Sequence, residues 1–361
     1  MRSRVFFLVL AALIPSAALA TYSIVALDPE TGEIGVAVQS RAFNVGMAVP
    51  WVEAGVGAIA TQAFTNESFG PRGLALMRTG LSAEETLAWL LDHDPSRENR
   101  QVGIVDANGG TAQHTGSEAN EWKGGIVGEN FVCQGNILAG EKVVNSMAKA
   151  FHETDGELAA RLLAALLAGE AAGGDSRGKQ SAAILVGRPS DANPEYRTRY
   201  VDLRVDDHPE PLLEIERLYH IIEGTDLAQA HIRYAEEYRA GGDDASAERE
   251  IRRLSQILDG ALAREDTDAG TLNALAWSLA TNDTGLESAL EAARRAALLV
   301  PDSFEILDTL AETLFRLGRY DEAIETGKNA LALSPDDDYL EAQLRRFEGR
   351  RIDLEPGEGG E

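Results

Sequence analysis

A period of 34 residues near the C-terminus constrains this chain more than any other pattern in it. Ala289 and Ala323, Ala296 and Ala330, Leu299 and Leu333, and Pro301 and Pro335 are each separated by that interval. Leu307, Leu310, Gly318 and Tyr320 fall where a helix, a tight turn and a second helix would need them. A helical pair of this size cannot bury its apolar face alone and must stack on neighbours. The pattern is clear over residues 304–337 and weaker over 270–303, where the turn reads Asn282-Asp283-Thr284-Gly285. Residues 269–350 are therefore expected to be helical repeats. Residues 223–268 read as a helical linker or a degenerate repeat, and 351–361 as a disordered tail.

Upstream the periodicity is different. Residues 22–27 and 33–39 read as strands joined by the turn Asp28-Pro29-Glu30-Thr31-Gly32. A third strand, 56–62, is rich in small residues. Gly70-Pro71-Arg72 opens a helix, and Ser82-Ala83-Glu84-Glu85 is a capping box that starts another. Residues 101–106 and 111–114 form a hairpin about Asn108-Gly109, and 131–135 one more strand. Two helices follow, over about 140–152 and 157–168, then strands at 181–186 and 199–205 and a helix over 211–222. Strands, two helices, strands, two helices, strands is the order of an α+β domain with two antiparallel sheets between helical layers, assigned here to residues 21–222.

The N-terminus carries Arg2 and Arg4, an apolar run from Val5 to Ile14, and the triplet Ala18-Leu19-Ala20. That is the order of a secretory signal peptide over residues 1–20, too short to remain as a membrane span. The chain is expected to be exported, to the periplasm or beyond, with a mature protein that begins at Thr21. An N-terminal threonine can be a complete nucleophile, because its own α-amine can take the hydroxyl proton.

The balance of 33 Lys+Arg against 59 Asp+Glu disfavours nucleic acid as a partner. Cys133 is the only cysteine, so no internal disulfide is expected, and its setting in Phe131-Val132-Cys133 suits a buried thiol. The six histidines form no ligand pattern, so no metal or other cofactor is expected. The glycine-rich stretch 169–178 lacks the lysine of a phosphate loop and runs into a strand, which argues against nucleotide binding.

Thr21-Tyr-Ser-Ile-Val-Ala, Glu33-Ile-Gly-Val-Ala-Val, Gly55-Val-Gly-Ala-Ile-Ala-Thr-Gln-Ala, Gly70-Pro-Arg-Gly, Gln134-Gly-Asn and Gly173-Gly-Asp-Ser-Arg-Gly-Lys-Gln-Ser occur in that order. Residues 21–222 resemble the domain of unknown function "ten twenty-eight", a family of the N-terminal nucleophile (Ntn) hydrolase superfamily. The C-terminal units resemble tetratricopeptide repeats. The first resemblance implies an Ntn-type αββα sandwich and amide-bond hydrolysis by the mature N-terminal residue. Thr21 is then the nucleophile. Where relatives have Ser-Lys after the second strand, this chain has Ser40-Arg41. Arg41 either supplies charge that favours a neutral amine or is an ion-paired surface residue. Asn136 either donates to an oxyanion or closes a turn. Asp175 and Arg177 either pair across the glycine loop or position the free amine, or they belong only to the loop architecture.

Three functions follow from different classes. One is an exported Ntn amidohydrolase acting on a small-molecule or peptide substrate. Another is a non-catalytic Ntn-fold binding module. The third is a scaffold that holds a protein or peptide partner at its repeats.

Overall fold

The computed structural model describes residues 21–189 and 199–354. The expected signal peptide, residues 1–20, lies outside the described residues, as does the expected tail from residue 355 onward. The chain divides into two compact units that interleave along the sequence. One takes the described residues up to Glu153 with Leu162–Arg188 and Arg204–Leu212. The other takes Thr154–Arg161, the described part of Pro189–Leu203, and the chain from Leu213 onward.

The first unit begins with a hairpin of β1 (Thr21–Leu27) and β2 (Ile34–Ser40). Its turn closes where the Gly32 N–H donates to the Asp28 carbonyl, with Gly32 at φ 71°. A short helix α1 (Val45–Ala48) and strand β3 (Pro50–Glu53) come next, neither marked by periodicity in the sequence. Then follow β4 (Gly57–Ala63), α2 (Phe69–Arg78) and α3 (Ala83–Asp92). The capping box at α3 is formed: Ser82 Oγ accepts from the Glu85 N–H, and the Glu85 carboxylate from the Ser82 N–H. Strands β5 (Arg100–Asp106), β6 (Thr111–Thr115), β7 (Gly124–Gly128) and β8 (Phe131–Asn136) precede helices α4 (Lys142–Glu153) and α5 (Leu158–Ala171). Strands β9 (Ser181–Gly187) and β10 (Arg199–Val205) complete the sheets.

Six strands run β10-β9-β2-β1-β8-β7 and four run β3-β4-β5-β6. The pairs of β1 with β2 and β8, of β2 with β9, and of β5 with β4 and β6 are antiparallel. Val25, Val36, Val38 and Val132 of the larger sheet meet Ala58, Ala60 and Val105 of the smaller one in a single core. On the outer face of the smaller sheet, Ile59, Val102 and Ile104 pack on Leu74, Met77, Leu87 and Leu90 of α2 and α3. Outside the larger sheet, the Phe131 ring lies 5.1 Å from that of Phe151 on α4. A Cβ on Gly35 would come within 2.9 Å of Leu162 on α5. Helices therefore cover both outer faces, in the order α–β–β–α. Both faces of each sheet are covered, which is why these antiparallel strands read as near-continuous apolar runs rather than alternating ones.

Apart from Arg199–Leu203 of β10, the second unit is mainly helical. Its helices are α6 (Pro211–Ile222), α7 (Ala228–Ala240), α8 (Asp244–Ala263), α9 (Ala269–Thr281), α10 (Leu286–Leu299), α11 (Phe304–Arg316), α12 (Tyr320–Leu333) and α13 (Asp338–Leu354). Consecutive helices from α7 to α13 pack against one another. Ala289, Ala296, Ala323 and Ala330, half of the 34-residue pattern, are fully buried, whereas Leu299 and Leu333 are half exposed. Alanine at those positions lets helices approach closely. Helix α13 continues to Leu354, so residues 351–354, expected in the tail, are helical. No helix among the described residues is long and apolar enough to cross a membrane.

His231, fully buried on α7, ties this unit together. Its Nε2 lies 3.0 Å from Glu157 Oε1 and its Nδ1 2.8 Å from Glu250 Oε2. The Tyr200 hydroxyl donates to Glu157 Oε2 at 3.1 Å, and Arg253 lies 3.6 Å from Oε1. Burial alone would lower the imidazole's pKa, but Glu157 and Glu250 outweigh it and raise the pKa from 6.5 to about 9. A folded pKa above the unfolded one contributes stability that is full below pH 6.5 and lost as pH rises through about 9. Thermal unfolding followed by circular dichroism should therefore show the melting temperature falling over that interval. In His231→Leu the slope should vanish and stability drop by about 3–5 kcal/mol, because two buried carboxylates lose their shared partner. A wild-type melting temperature flat across the interval would show that the imidazole is not held as a cation.

Candidate functional site

Strand register assembles the site. Thr21 lies directly opposite Ser40 on β2 and Asn136 on β8, and Ser40 lies opposite Ser181 on β9. Residues directly opposite one another project to the same face. Asn136, Thr21, Ser40 and Ser181 thus form one polar row across four adjacent strands, all of it buried. The Thr21 and Ser40 hydroxyl oxygens are 3.0 Å apart. Ser181 Oγ accepts from the Val45 N–H at 3.1 Å and donates to the Ala42 carbonyl. Ser181 sits on β9, an inner strand of the larger sheet.

Below this row the space between the sheets is filled by amides. Gln62 on β4 donates to the Thr21 carbonyl at 3.1 Å and to Gln101 Oε1 at 2.8 Å. Asn136 Nδ2 donates to the same Gln101 oxygen at 3.1 Å. Gln101 Nε2 donates to the Gly135 carbonyl at 2.8 Å and to Thr115 Oγ1 at 2.9 Å. Ser23 Oγ donates to Gln62 Oε1 at 2.7 Å, and Gln134 Nε2 to the Ala60 carbonyl at 3.1 Å. Gly103 on β5 makes room for this: a Cβ there would meet Val132 at 3.1 Å and Gln134 at 3.3 Å. Gln62, Gln101 and Gln134 were not singled out from the sequence. The signal available was a polar amide in each of three otherwise apolar strands, which burial obliges to find partners.

The rim of the row is built by two loops. Ile137, immediately after Asn136, takes φ 53°, which a β-branched residue rarely adopts. It is fixed there by its N–H donating to the Asn120 carbonyl and its own carbonyl accepting from Ser176. Leu138 bridges to Asp175. Asp175, itself buried, accepts from the Arg41 N–H at 2.9 Å, the Arg177 N–H at 2.9 Å and Arg177 Nη2 at 3.0 Å. The Asp175–Arg177 pair within the glycine loop is thus formed. Arg41 is exposed, and its guanidinium donates to the Lys179 carbonyl at 3.4 Å. The structure thus brings the Arg41 backbone, rather than its charge, to Asp175.

Behind the row, Tyr22 faces α5, where its hydroxyl donates to Glu170 Oε2 at 2.8 Å. Burial, then the charge of Glu170, raises the phenol well above its ordinary pKa, so it stays a donor. Lys179 bonds Glu210 and lies 3.7 Å from Glu170, and the Glu210 bond leads in raising its pKa. Cys133 is buried and burial raises its thiol pKa, as an inert core thiol requires.

Residues 21–215 match DUF1028, described as a family of unknown function. The match covers more than half of the 361 residues, and the chain belongs to this family. A DUF1028 protein of known crystal structure from Silicibacter pomeroyi is 36% identical, with a TM-score of 0.52. The alignment covers 56% of this chain and 86% of that one. Residues 304–337 match the tetratricopeptide repeat. The tetratricopeptide domain of Sgt2 from Aspergillus fumigatus aligns at 17% identity over 36% of this chain and 85% of its own, with a TM-score of 0.28. No curated protein matches the chain.

The amide network predicts a contrast between two glutamines. Gln101→Leu should cost about 3 kcal/mol or more, because Gln62, Asn136 and the Gly135 carbonyl all lose a buried partner. Gln39 on β2 is just as buried, but neither polar atom of its amide has a protein partner. Gln39→Leu should be neutral or stabilising, within about 1 kcal/mol. Chemical denaturation of both variants checks this, and equal losses would contradict the network's assigned weight.

Proposed function

We propose that the chain is an exported amidohydrolase of the Ntn type, with Thr21 as the mature N-terminal nucleophile and its α-amine as the base. The observation that carries this reading is the place of Thr21. It is the first residue of the family match, the first of β1, and a central member of the polar row between Asn136 and Ser40. Removal of residues 1–20 as a signal peptide would expose its amine.

In this mechanism Thr21 Oγ1 adds to the carbonyl carbon of a small-molecule or peptide amide, and its proton passes to the amine. The amine gives that proton to the leaving nitrogen as the C–N bond breaks, which leaves an ester on Thr21. Water, deprotonated by the same amine, adds to the ester carbonyl and displaces the threonine oxygen, which regains its proton. Ser40 Oγ, 3.0 Å away, holds the nucleophile's direction. Asn136 donates one Nδ2 hydrogen to Gln101 and can offer the other to the developing oxyanion. Asp175 acts as a positioning residue, holding the Arg41 backbone and the loop from 174 to 178 against Ile137 and Leu138. Arg41 acts through its backbone N–H, which Asp175 holds, while its exposed guanidinium bonds the Lys179 carbonyl.

A second reading, a binding module without turnover, is favoured by the burial of Thr21, 2% exposed, and by the engagement of the Arg41 guanidinium with a backbone carbonyl. In either reading the repeats serve a protein or peptide partner.

Mass spectrometry of the exported protein should find Thr21 at the mature terminus. An electrophile selective for N-terminal nucleophiles should label wild type and Thr21→Ser, and leave Thr21→Ala unlabelled. Labelling should weaken as pH falls below the amine's pKa of roughly 7.7–8.0. Protein with a retained N-terminal tag should fold but not label. Equal labelling of tagged and untagged protein at Thr21 would rule out the amine as base.

A further inference from the structure

Helices α9, α11 and α13 line a cavity of about 370 Å³ in the repeat unit. Trp277, Phe304 and Tyr339 supply its aromatic walls, and Asn273, Glu305 and Asp308 its polar groups. No lysine or arginine lines it.

Asp308 is nearly buried and forms no ion pair among the described residues. The Arg346 guanidinium, whose charge acts on Asp308, is already taken: it bonds Glu312 and lies 4.6 Å from the centre of the Phe315 ring. Glu312 also holds Arg316 at 2.7 Å. Burial first, then the like charges of Glu312 and Asp337, lift the Asp308 carboxyl to about 6, against the opposing effects of the Tyr339 hydroxyl and Arg346. Near neutral pH the cavity therefore holds a buried carboxylate that no described lysine or arginine pairs with directly, Arg346 being committed to Glu312. Asn273 Oδ1 is a buried acceptor without a partner. A carboxylate and an amide oxygen between aromatic rings form a site for a cation that also donates hydrogen bonds.

We propose that this cavity binds the lysine or arginine side chain of a basic peptide segment, with Asp308 as its counter-ion and Trp277 and Tyr339 against its stem. The chain's net charge of −26 favours the approach of such a partner. This inference rests on the reading of the repeats as a partner-binding surface and is independent of chemistry at Thr21.

The full chain is titrated calorimetrically with an acetylated, amidated nonapeptide of alternating lysine and alanine, and with its glutamate–alanine counterpart. The lysine peptide should bind at one site and the glutamate peptide not at all. Asp308→Asn with Glu305→Gln should weaken binding about tenfold or more, as should Tyr339→Ala, which removes a half-exposed ring and the hydroxyl beside Asp308. Glu84→Gln with Glu118→Gln removes the same charge from exposed sites on the first unit and should leave affinity within about twofold. Equal loss in that control would reduce the effect to general acidity and overturn the site. Binding of the glutamate peptide would overturn the cationic specificity while leaving the repeats a binding surface. Failure of both peptides would overturn the site, with Thr21 labelling standing or falling separately.

Discussion

Two sheets, each covered on both faces, leave the side chains between them no water to bond. That constraint governs the first unit. The inward positions of β1, β2, β4, β5 and β8 are apolar toward one end, at Val25, Val36, Ala58, Val105 and Val132. Toward the other they are polar, at Thr21, Ser40, Gln62, Gln101 and Asn136. The polar end is held by its own bonds: Gln101 alone accepts from two amides and donates to a carbonyl and a hydroxyl, though Gln134 Oε1 is left without a partner. Such a network, once complete, fixes every member's orientation, because any rotation leaves a buried group unpaired.

The same economy explains the strained residue beside the row. Ile137 accepts a left-handed backbone, at a cost of order 1–3 kcal/mol. In that conformation its N–H and carbonyl both find partners, and Asn136 ends its strand facing Gln101 rather than solvent. Strain and hydrogen bonding are exchanged within a few residues, which is common where a site must be held in one geometry.

Much of this fold was legible in the residues. The hairpin turns, the α3 capping box and the 34-residue period each have a local cause, and each appears where its chemistry placed it. The short elements α1, β3 and β7 were not legible, since four or five residues carry too little periodicity to distinguish strand from loop. Of the candidate site, Thr21 and Asn136 could be named but not their adjacency, which depends on pairing across more than a hundred residues of chain. The glutamines were overlooked because each looks like an ordinary strand residue until register brings Gln62, Gln101 and Gln134 into one layer. The interleaving of the two units was invisible for the same reason: Glu157 and Tyr200 lie upstream of any change in composition, yet their partner is His231.

Strand parity also explains why Ser40, and not the residue after it, meets Thr21. Side chains alternate across a strand, so the residue opposite Thr21 shares its face and the next must leave it. Ser40 holds the opposing position, and Arg41, one step on, turns outward and gives Asp175 only its backbone. A charged group at position 41 can therefore reach the threonine only by folding back over the end of the sheet. A guanidinium bonded to the Lys179 carbonyl is not free to do so. Ser40 Oγ, 3.0 Å from the Thr21 hydroxyl, is neutral, so the base that the proposed mechanism needs is assigned to the threonine itself. An α-amine is the one basic group that Thr21 can supply without a neighbour.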